Sequence, residues 1–462
     1  MNQGIETIIA HSTPKGTSGL AIIRISGSRC SKIIEKFFKK KLITPRKIQL
    51  NYFYDFNLNK VDQVMFVYYR SPASYTGEDM IEIFPHGSPA IIDKILEELL
   101  YLKNVRIAKP GEFAKRAILA KKITLMDAEN INNLIQAQTE FERKLISWQS
   151  FGGLTNKLDE WKQKLVRLSA LCEAIIEFDE EDDTISLTTL DEDLLHLLKL
   201  VNDSLKNSKL LKKALEGKKI IICGPPNVGK SSIFNVLNQE DRSIVSKKVG
   251  TTRDYISSQM FLRDKKISIF DTAGIRTTGN SVEKIGVKKT SDLIKKETNI
   301  ILVLSADVFK EKTFISMVKD LLKTTKRKKL LVIYNKSDLC KHTKELWQKE
   351  IPELKKPPFI TISCVDLRSD NNMYGKLLKF LEKNILEDQP EMFDNGGFIE
   401  KRHFEHLKKM KKHLILATEN LNNIDIVAEE IRLSLLELEN IIGKVEIEKR
   451  LDFIFENFCI GK

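Results

Sequence analysis

A glycine-rich stretch near the middle of the chain has the residue types that hold a nucleotide phosphate. Gly224, Gly229, Lys230 and Ser231 are spaced as G-x-x-x-x-G-K-S. The glycines let backbone amides turn toward phosphate oxygens, Lys230 can reach the β and γ phosphates, and the Ser231 hydroxyl can bind Mg²⁺. The pattern predicts a phosphate-binding loop, and the alternative is an ordinary glycine-rich turn.

The sequence on either side supplies the elements that must position this loop. Lys218 to Cys223 is a short apolar run rich in β-branched residues, which predicts a buried strand. Ser231 to Leu237 has the apolar spacing of a helix. A strand before and a helix after are the context in which such a loop binds phosphate, so they favour the functional interpretation.

Two later segments can respond to a γ phosphate. Thr252 lies in a loop that contains Gly250, and its hydroxyl can reach Mg²⁺. The predicted strand Lys266 to Phe270 ends in Asp271 to Gly274, where a carboxylate can bind the metal and a glycine amide can contact the γ phosphate. We expect a γ phosphate to order both segments and hydrolysis to release them.

Two further stretches predict that the base is guanine. Asn335 to Asp338 has the pattern N-K-x-D and follows the predicted strand Leu330 to Tyr334. The Asp338 carboxylate can accept from the N1–H and 2-amino groups of guanine, and adenine has neither donor at these positions. Asn335 can bridge the purine N7 side and the phosphate loop. Ser363 and Cys364 are small residues whose amides can meet the guanine carbonyl, with Cys364 a spacer rather than a reactive thiol.

The residue that positions the attacking water is not the one used by regulatory GTPases of the Ras type. Those proteins place Gln just after D-x-x-G, whereas this chain has Ile275 there. The candidates are Glu283 and a monovalent cation to which Asn227 can supply an oxygen. Glu283 can instead be an acidic residue in a first helical turn, and Asn227 a turn residue.

Length and composition indicate a globular protein of several domains. The 462 residues are enough for about three domains. With 42% hydrophobic and 30% charged residues, collagen-like and disordered classes are excluded. The net charge of +13 permits attraction to a polyanion such as RNA, but lysines on solvated faces explain it equally well.

Cysteine usage and the hydropathy pattern favour a cytoplasmic location. The six cysteines are widely spaced and include no C-x-x-C pair, which fits a reducing compartment. The N-terminus lacks a basic segment followed by an apolar run, and no apolar stretch is long enough to span a bilayer. We therefore expect neither secretion nor association with a membrane.

The order of patterns predicts an α/β and all-α multidomain protein. Residues 1–120 have mixed strand and helix patterns, residues 121–215 and 386–462 are helical, and residues 216–385 hold the nucleotide motifs. We expect the two helical parts to pack together as one domain, with a Ras-like P-loop G domain inserted at an exposed loop. The acidic run Asp179 to Asp183 is interpreted as a solvated loop.

These motifs together resemble those of a known class of proteins. Gly224 to Ser231, Thr252, Asp271 to Gly274, Asn335 to Asp338 and Ser363 resemble the translation-factor-related GTPases. Over essentially its whole length the chain resembles the TrmE-type family of tRNA-modification GTPases. The resemblance extends to Leu20 to Gly27, Tyr75 to Asp79, His86-Gly87, Pro110 to Phe113 and the C-terminal Cys459-Ile460-Gly461-Lys462.

The resemblance implies a function, partners and cofactors. It implies an N-terminal folate-binding and dimerising domain, a homodimer, and a heterotetramer of two such chains with two chains of MnmG (GidA), which uses FAD and NADH. Together they would add a carboxymethylaminomethyl or aminomethyl group to carbon 5 of the wobble uridine, U34, of certain tRNAs. The one-carbon donor would be 5,10-methylene- or 5-formyl-tetrahydrofolate. The positions matching folate contacts are Arg24, Glu82, Lys122 and Lys462.

The resemblance also implies which residues contact GTP and metal ions. Ser231 and Thr252 would bind Mg²⁺; Asn227, Ser246, Lys248 and Thr251 would bind K⁺, which replaces an arginine finger when two G domains meet. Glu283 and Lys230 would be catalytic. The cationic side chains of Lys247 and Lys248 leave the affinity for K⁺ open. The implied GTP contacts are Asn227, Val228, Gly229, Lys230, Ser231, Ser232, Ser246, Lys247, Lys248, Val249, Gly250, Thr251, Thr252, Asp271, Thr272, Ala273, Gly274, Asn335, Lys336, Asp338, Ser363 and Cys364.

Some alternatives remain open at this point. Cys459 is either a nucleophile toward uridine C6 or a packing residue, and no neighbouring His or Arg argues for a lowered thiol pKa. A rival function is a GTPase switch in ribosome assembly, which predicts an RNA-binding appendage after the G domain. A second rival, a structural dimer scaffold, leaves the guanine-binding pattern unexplained.

Overall fold

A computed structural model describes residues 6–41, 43–177, 187–238, 256–262, 265–271, 299–325, 329–366, 371–386 and 397–443. The chain divides into two compact units. The first comprises Met1–Gln136, Ile146–Asn202 and Glu400–Lys462, and the second Ala137–Leu145 and Asp203–Ile399. No helix within the described ranges combines the length and apolar character needed to cross a membrane.

The first unit contains a six-stranded, mostly antiparallel sheet. Its strands are β1 (Thr7–His11), β2 (Ile23–Ser26), β3 (Gln49–Tyr54), β4 (Lys60–Tyr69), β5 (Met80–Phe84) and β6 (Val105–Ile107). Their order is β3-β4-β5-β2-β1-β6, and only the β1–β6 pair is parallel. The sequence predicts a strand from Leu20, but Leu20 is half exposed and the regular ladder begins three residues later.

Three helices accompany this sheet. They are α1 (Cys30–Phe38), α2 (Pro89–Leu100) and α3 (Glu112–Leu119). The buried residues of α1 are spaced three and four apart, which gives the helix one apolar face. That face enters a core with β-strand residues such as Phe53 and Phe66, and the Phe37 and Phe53 rings stack with centroids 5.1 Å apart. The core fixes β3 at one edge of the sheet.

Long helices follow the sheet in the chain. They are α4 (Leu125–Gln136), α5 (Glu140–Ser150), α6 (Gly153–Glu177) and α7 (Leu187–Glu216). Two breaks separate α4, α5 and α6. Thr139 and Glu142 bond reciprocally to each other's backbone N–H, a capping box that starts α5, and Gly152 has φ +102° before α6.

The second unit contains a six-stranded sheet with helices between its strands. The strands are β7 (Lys218–Cys223), β8 (Ile256–Leu262), β9 (Lys265–Asp271), β10 (Asn299–Leu304), β11 (Lys329–Tyr334) and β12 (Phe359–Thr361). Their order is β12-β11-β10-β7-β9-β8, and only β8 is antiparallel to its neighbour. The helices are α8 (Lys230–Asn238), α9 (Lys312–Thr324), α10 (Thr343–Glu350) and α11 (Asn371–Ile385), with a 3₁₀ turn at Pro352–Lys355.

The parallel strands place the nucleotide motifs at one edge of this sheet. All six residues of β10 are buried, as expected for a central parallel strand covered on both faces. The phosphate loop follows β7 and the N-K-x-D stretch follows β11. Ligands of such sheets bind outside the carboxyl ends of the strands, so the fold brings the phosphate loop and the N-K-x-D stretch to the same edge of the sheet.

The last two described helices are α12 (Lys401–Glu419) and α13 (Ile424–Ile442). They run antiparallel, with His406 paired to Glu437 at 2.5 Å and His413 to Glu430 at 2.6 Å. α13 also packs on α6, where Lys162 and Glu439 lie 3.0 Å apart. The helices before and after the nucleotide motifs in the chain therefore pack on each other, and the predicted α/β and all-α fold class is confirmed.

A buried ion pair links α4 to α12 and α13. The Arg402 guanidinium donates to both Glu129 carboxylate oxygens, at 2.9 and 2.8 Å, and His403 lies 3.0 Å from the same carboxylate. Arg402 also donates to the carbonyl oxygens of Asn440 and Ile441, in the last turn of α13. Helices far apart in the chain are thus joined by one charged cluster.

Candidate functional site

The phosphate loop approaches its neighbours too closely to carry side chains at two positions. Gly224 has φ +144°, and a Cβ there would lie 2.2 Å from the Val303 carbonyl oxygen. Gly229 has φ +94°, and its Cβ would lie 2.2 Å from Asn335 Nδ2. Both positions need glycine for its backbone freedom and for its lack of a side chain. Asn227, at the exposed tip, also has a positive φ of 60°.

Lys230 is the first residue of α8 and is held inside the loop. Its side chain is buried, and Nζ donates to the Pro225 carbonyl oxygen at 2.7 Å. The amides in the first turn of a helix have no partners within the helix and carry its positive dipole end. With Ser231 exposed in the same turn, the loop offers amides, an ammonium group and a hydroxyl to an anion.

Asn335 joins the phosphate loop to the loop after β12. Its Nδ2 donates to the Val228 carbonyl oxygen at 2.8 Å, and its Oδ1 accepts from the Cys364 amide at 3.2 Å. Asn335 is 1% exposed, so neither bond competes with solvent. Backbone bonds strengthen the arrangement, since Ser337 N donates to Ile362 O at 3.1 Å.

The two charged residues of the N-K-x-D stretch occupy different surroundings. Lys336 has φ +61°, and its Nζ lies 2.5 Å from Asp307, whose other oxygen accepts from the Ser305 hydroxyl. Burial alone would raise the pKa of Asp307, but the bond from Lys336 lowers it. Asp338 is exposed, so its carboxylate is accessible to a ligand. Asp307 is absent from the sequence-based site, although it follows closely on the apolar run Ile300 to Leu304, and a polar residue at the end of such a strand could have indicated it.

Several expected GTP and metal contacts lie outside the described residues. These are Ser246, Lys247, Lys248, Val249, Gly250, Thr251, Thr252, Thr272, Ala273, Gly274 and Glu283. Asp271 ends β9, and its backbone pairs with Ile222 of β7, next to the phosphate loop. Within the described ranges, no group of three His, Cys, Asp or Glu side chains forms a metal site.

A second cluster lies on the sheet of the first unit. Arg24 of β2 and Glu82 of β5 are direct cross-strand partners, and Arg24 donates to Glu82 Oε1 from Nε at 3.0 Å and from a terminal nitrogen at 2.7 Å. The Tyr69 hydroxyl donates to Glu82 Oε2 at 3.2 Å. Burial and the neighbouring carboxylate raise the pKa of Tyr69, which keeps it a donor. Two of the four expected folate residues are thus in contact, and Tyr69 adds a partner that the sequence did not indicate.

The turn from Tyr75 to Asp79 reaches two of the expected folate residues. The Arg24 guanidinium lies 5.7 Å from the centroid of the Tyr75 ring. Gly77 has φ +77°, and a Cβ there would lie 3.4 Å from Cε of Lys122, so the lysine stem crosses the turn. Lys122 itself is exposed. Lys462, the fourth expected folate residue, lies outside the described residues.

Ion pairs hold the same turn in place. Glu78 accepts from Arg116 of α3 at 2.8 Å and from the Ser26 hydroxyl at 2.7 Å. Arg116 in turn pairs with Glu112 at 3.2 Å. Burial opposes the ionised form of Glu112, but hydrogen bonds from Arg106 and from the Lys109 amide lower its pKa to about 2. The turn is therefore preorganised by charges on the neighbouring helix.

Three buried cysteines have surroundings that do not favour thiolate chemistry. Burial raises the pKa of Cys223, at the end of β7, to about 12, and that of Cys172 to about 11. Burial likewise raises the pKa of Cys30. Thiols of this kind react slowly, because the thiolate is the nucleophile. Cys459 lies outside the described residues.

Comparison with known proteins identifies the family. Residues 7–122 match the model of the GTP-binding protein TrmE N-terminus, and residues 125–459 match that of the MnmE helical domain. A solved structure of Aquifex aeolicus Era bound to GDP and AlF4⁻ is 25% identical and covers 43% of this chain and 67% of that chain, with a TM-score of 0.29.

Relatives that match the chain over its full length are tRNA modification GTPases named MnmE. The tRNA modification GTPase MnmE of Fervidobacterium nodosum is 34% identical over 475 residues, covering 100% of this chain and 98% of the relative. That of Aquifex aeolicus is 35% identical over 463 residues, covering 99% and 100%. With two family models and full-length relatives in agreement, the chain belongs to the MnmE family of tRNA modification GTPases.

Proposed function

We propose that the chain hydrolyses GTP and couples this hydrolysis to modification of carbon 5 of the wobble uridine, U34, of certain tRNAs. It acts as a homodimer with two chains of the flavoprotein MnmG, which supplies FAD and NADH chemistry. A tetrahydrofolate carries the one-carbon unit, and the product bears a carboxymethylaminomethyl or aminomethyl group. The observation that carries the nucleotide part is the amide of Asn335, bonded both to the phosphate loop and to the amide of Cys364.

In the nucleotide site, each described residue has a distinct task. The amides after Gly229 and the Lys230 ammonium group stabilise the charge on the phosphates. Asp338 accepts from the guanine N1–H and 2-amino groups, and the bonded pair Lys336 and Asp307 fixes the loop that presents it. Glu283 orients the attacking water, since Ile275 cannot.

Two described residues, Ser231 and Asn227, carry oxygens suited to bind cations. The Ser231 hydroxyl at the start of α8 and Thr252 would hold Mg²⁺, a hard cation that prefers oxygen ligands. Asn227, whose left-handed backbone lies at the exposed tip of the loop, would contribute its side-chain oxygen to K⁺ together with Ser246, Lys248 and Thr251. Bound there, the cations supply positive charge against the phosphate charge that develops during cleavage.

The folate site is built around the carboxylate of Glu82. A carboxylate can accept roughly four hydrogen bonds. Arg24 donates twice to Oε1 and Tyr69 donates once to Oε2, which locks the orientation of the group and leaves acceptor capacity on Oε2 for the amino-pyrimidine edge of the pterin. Lys122, exposed beyond the turn at Gly77, can pair with a folate carboxylate, and Lys462 supplies a second cation.

Reconstitution of the whole reaction tests the proposal. The purified chain, the flavoprotein, FAD, NADH, a tetrahydrofolate donor, an amine donor (ammonium or glycine) and unmodified tRNA are incubated with GTP, and the nucleosides are analysed by mass spectrometry. We expect modified uridine with GTP and none with a non-hydrolysable analogue or with Lys230→Ala. Equal modification without GTP would overturn the coupling. Modification that persists in Cys459→Ser would assign that residue to packing.

The cation is tested by hydrolysis alone. GTP turnover in KCl and in NaCl at equal ionic strength should differ by at least tenfold if K⁺ replaces an arginine finger, a contribution commonly about 10³ or more. Asn227→Ala should remove most of the difference. Equal rates in the two salts would exclude K⁺ from the mechanism.

The folate assignment is tested by direct binding of 5-formyl-tetrahydrofolate. Glu82→Gln should weaken binding by about 10- to 100-fold, because a hydrogen bond to a charged group contributes roughly 1.5–3 kcal/mol. Glu97→Gln, which changes an exposed carboxylate on α2, is the matched control. Unchanged affinity in Glu82→Gln would separate this cluster from folate binding.

A further inference from the structure

Three lysines of the first unit lie over aromatic rings along one edge of its sheet. Lys36 Nζ is 3.5 Å from the centroid of the Phe56 ring, Lys39 Nζ is 4.2 Å from Tyr54, and Lys60 Nζ is 4.1 Å from Tyr52. All three distances are within the range of cation–π contact. We refer to these six residues as the lysine–aromatic ridge: Lys36, Lys39, Tyr52, Tyr54, Phe56 and Lys60.

The rings of the ridge follow the edge strand. Tyr52 and Tyr54 are alternate residues of β3, and their ring centroids are 6.4 Å apart. Phe56 lies just past the strand and packs edge-on against Phe37 at 5.5 Å and Tyr101 at 5.7 Å. The ridge therefore gathers three ring-bound cations around the short segment from Tyr52 to Phe56.

The segment around the ridge concentrates positive charge. Residues 29–60 contain nine Lys and Arg residues and two acidic residues, a net charge of +7, out of +13 for the whole chain. One of the two acidic residues, Asp55, is already bonded to Asn59 through both carboxylate oxygens. Within the part of the chain that the structure describes, no carboxylate forms an ion pair with Lys36, Lys39 or Lys60.

The rings order the lysines without neutralising them. A ring face attracts an ammonium group but leaves its N–H donors available for an anion. Lys39 also has a left-handed backbone, φ 53°, at the end of α1, a position where glycine is the usual and less strained residue. A lysine side chain at this position is what places a cation over Tyr54.

We propose that the lysine–aromatic ridge binds the phosphate backbone of the tRNA substrate. The inference rests on the proposed function and specifies a surface for its RNA. A cluster of ring-bound cations without carboxylate partners suits the phosphate groups of a nucleic acid, and phosphate contacts dominate protein–nucleic acid affinity. An anionic membrane surface fits less well, since membrane insertion needs free apolar faces, whereas here the ammonium groups cover the rings.

Binding of an unmodified tRNA transcript, measured from about 50 to 200 mM KCl, tests the proposal. In the full-length triple variant Lys36→Ala/Lys39→Ala/Lys60→Ala, the slope of log K against log salt should become shallower by about two to three. Affinity at low salt should fall by about tenfold or more. The matched control is Lys15→Ala/Lys103→Ala/Lys109→Ala, three exposed lysines of the same unit, and its slope should equal that of the wild type. Far-UV circular dichroism of each variant reports whether its helices and strands are folded.

A second variant separates the contribution of the aromatic rings from that of the lysine charges. Tyr52→Leu/Tyr54→Leu/Phe56→Leu keeps the three cations, so its salt slope should stay close to wild type while affinity falls several-fold. If both triple variants bind tRNA with the wild-type salt slope and affinity, the ridge is not the RNA-binding surface, and the proposed function is unaffected. A wild-type chain that binds no tRNA at any salt would overturn the proposed function itself. If the lysine triple variant loses binding to anionic phosphatidylserine vesicles but still binds tRNA as the wild type does, the ridge would be a membrane-binding surface and not an RNA-binding one.

Discussion

Asn335 Nδ2 lies 2.8 Å from the carbonyl oxygen of Val228, so the residue that follows β11 is bonded to the loop that follows β7. Because Oδ1 of the same side chain accepts from the Cys364 amide, one buried group fixes three loops at the ends of three strands. A buried amide that loses either partner cannot exchange it for water. The three loops are therefore held together by Asn335 without a ligand.

Replacement of Asn335 should uncouple these loops. Asn335→Ala leaves the Val228 carbonyl and the Cys364 amide without their buried partner, at a cost of roughly 1–3 kcal/mol each. We expect GDP and GTP to bind about 10- to 100-fold more weakly, measured by titration with a fluorescent guanine nucleotide. Asn384→Ala, which removes a side-chain bond to a carbonyl within α11, is the control and should leave affinity unchanged.

Gly229 should not tolerate even a methyl group. Alanine at this position would adopt φ +94°, and its Cβ would lie 2.2 Å from Asn335 Nδ2, which cannot move without losing its bond to Val228. We expect Gly229→Ala to reduce GTP affinity and turnover by at least tenfold. Gly375→Ala is the matched control, because no atom lies within 4 Å of its added Cβ. Wild-type affinity in Gly229→Ala would show that the loop relaxes freely.

Asp338 should determine which base is accepted. In Asp338→Asn the acceptor for the guanine 2-amino group becomes a donor, which suits the C2 carbonyl of xanthine instead. We expect the ratio of XTP to GTP turnover to rise by about a hundredfold or more. The measurement is phosphate release with each nucleotide, and an unchanged ratio would contradict the assignment of Asp338 to the base.

The strand and helix around the phosphate loop were predictable because the motif is local. The strand before Gly224, the loop and the helix after it lie within about twenty residues, where apolar periodicity and glycine spacing suffice. Chain order then places the ends of parallel strands at one edge. The bond between Lys336 and Asp307 was harder to foresee, since it requires β10 and β11 to be neighbours.

The cluster around Glu82 depends on the register of the sheet. Arg24 and Glu82 are separated by 58 positions, and only the pairing of β2 with β5 makes them direct partners. Tyr69 joins them through the pairing of β4 with β5. Sequence periodicity can indicate a strand but not which strand pairs with it. Arg24 and Glu82 were therefore indicated by the family resemblance and not by periodicity. A one-residue slip would place these side chains on opposite faces.

Helix boundaries show a different limit. Thr139 and Glu142 form a capping box that is visible in the sequence, and it marks a helix boundary that the surrounding amphipathic pattern does not locate. The reciprocal bonds of the box satisfy N–H groups at the start of α5, so the local signal prevails over the longer periodicity. Short capping motifs deserve more weight when helical periodicity is weak.

The buried Glu129 should make the helical part of the chain sensitive to acid. Burial disfavours its charge, but bonds from His403 and Arg402 lower its pKa to about 2, against an ordinary value of 4.5. The native state thus binds fewer protons than the unfolded state. This stabilisation is fully present above about pH 4.5 and is lost as the pH falls toward 2.

Glu129→Gln tests this linkage. At neutral pH the variant should unfold with a free energy lower by about 3 kcal/mol, because Arg402 loses its charged partner in a buried site. The difference from wild type should narrow as the pH falls below 4.5. Urea unfolding is followed by Trp161, buried in α6, with Trp148 and Trp347 replaced by Phe. The control is Glu429→Gln, whose partner Arg432 is exposed, and it should unfold almost as wild type does. A pH-independent difference for Glu129→Gln would show that the carboxylate contributes packing rather than charge.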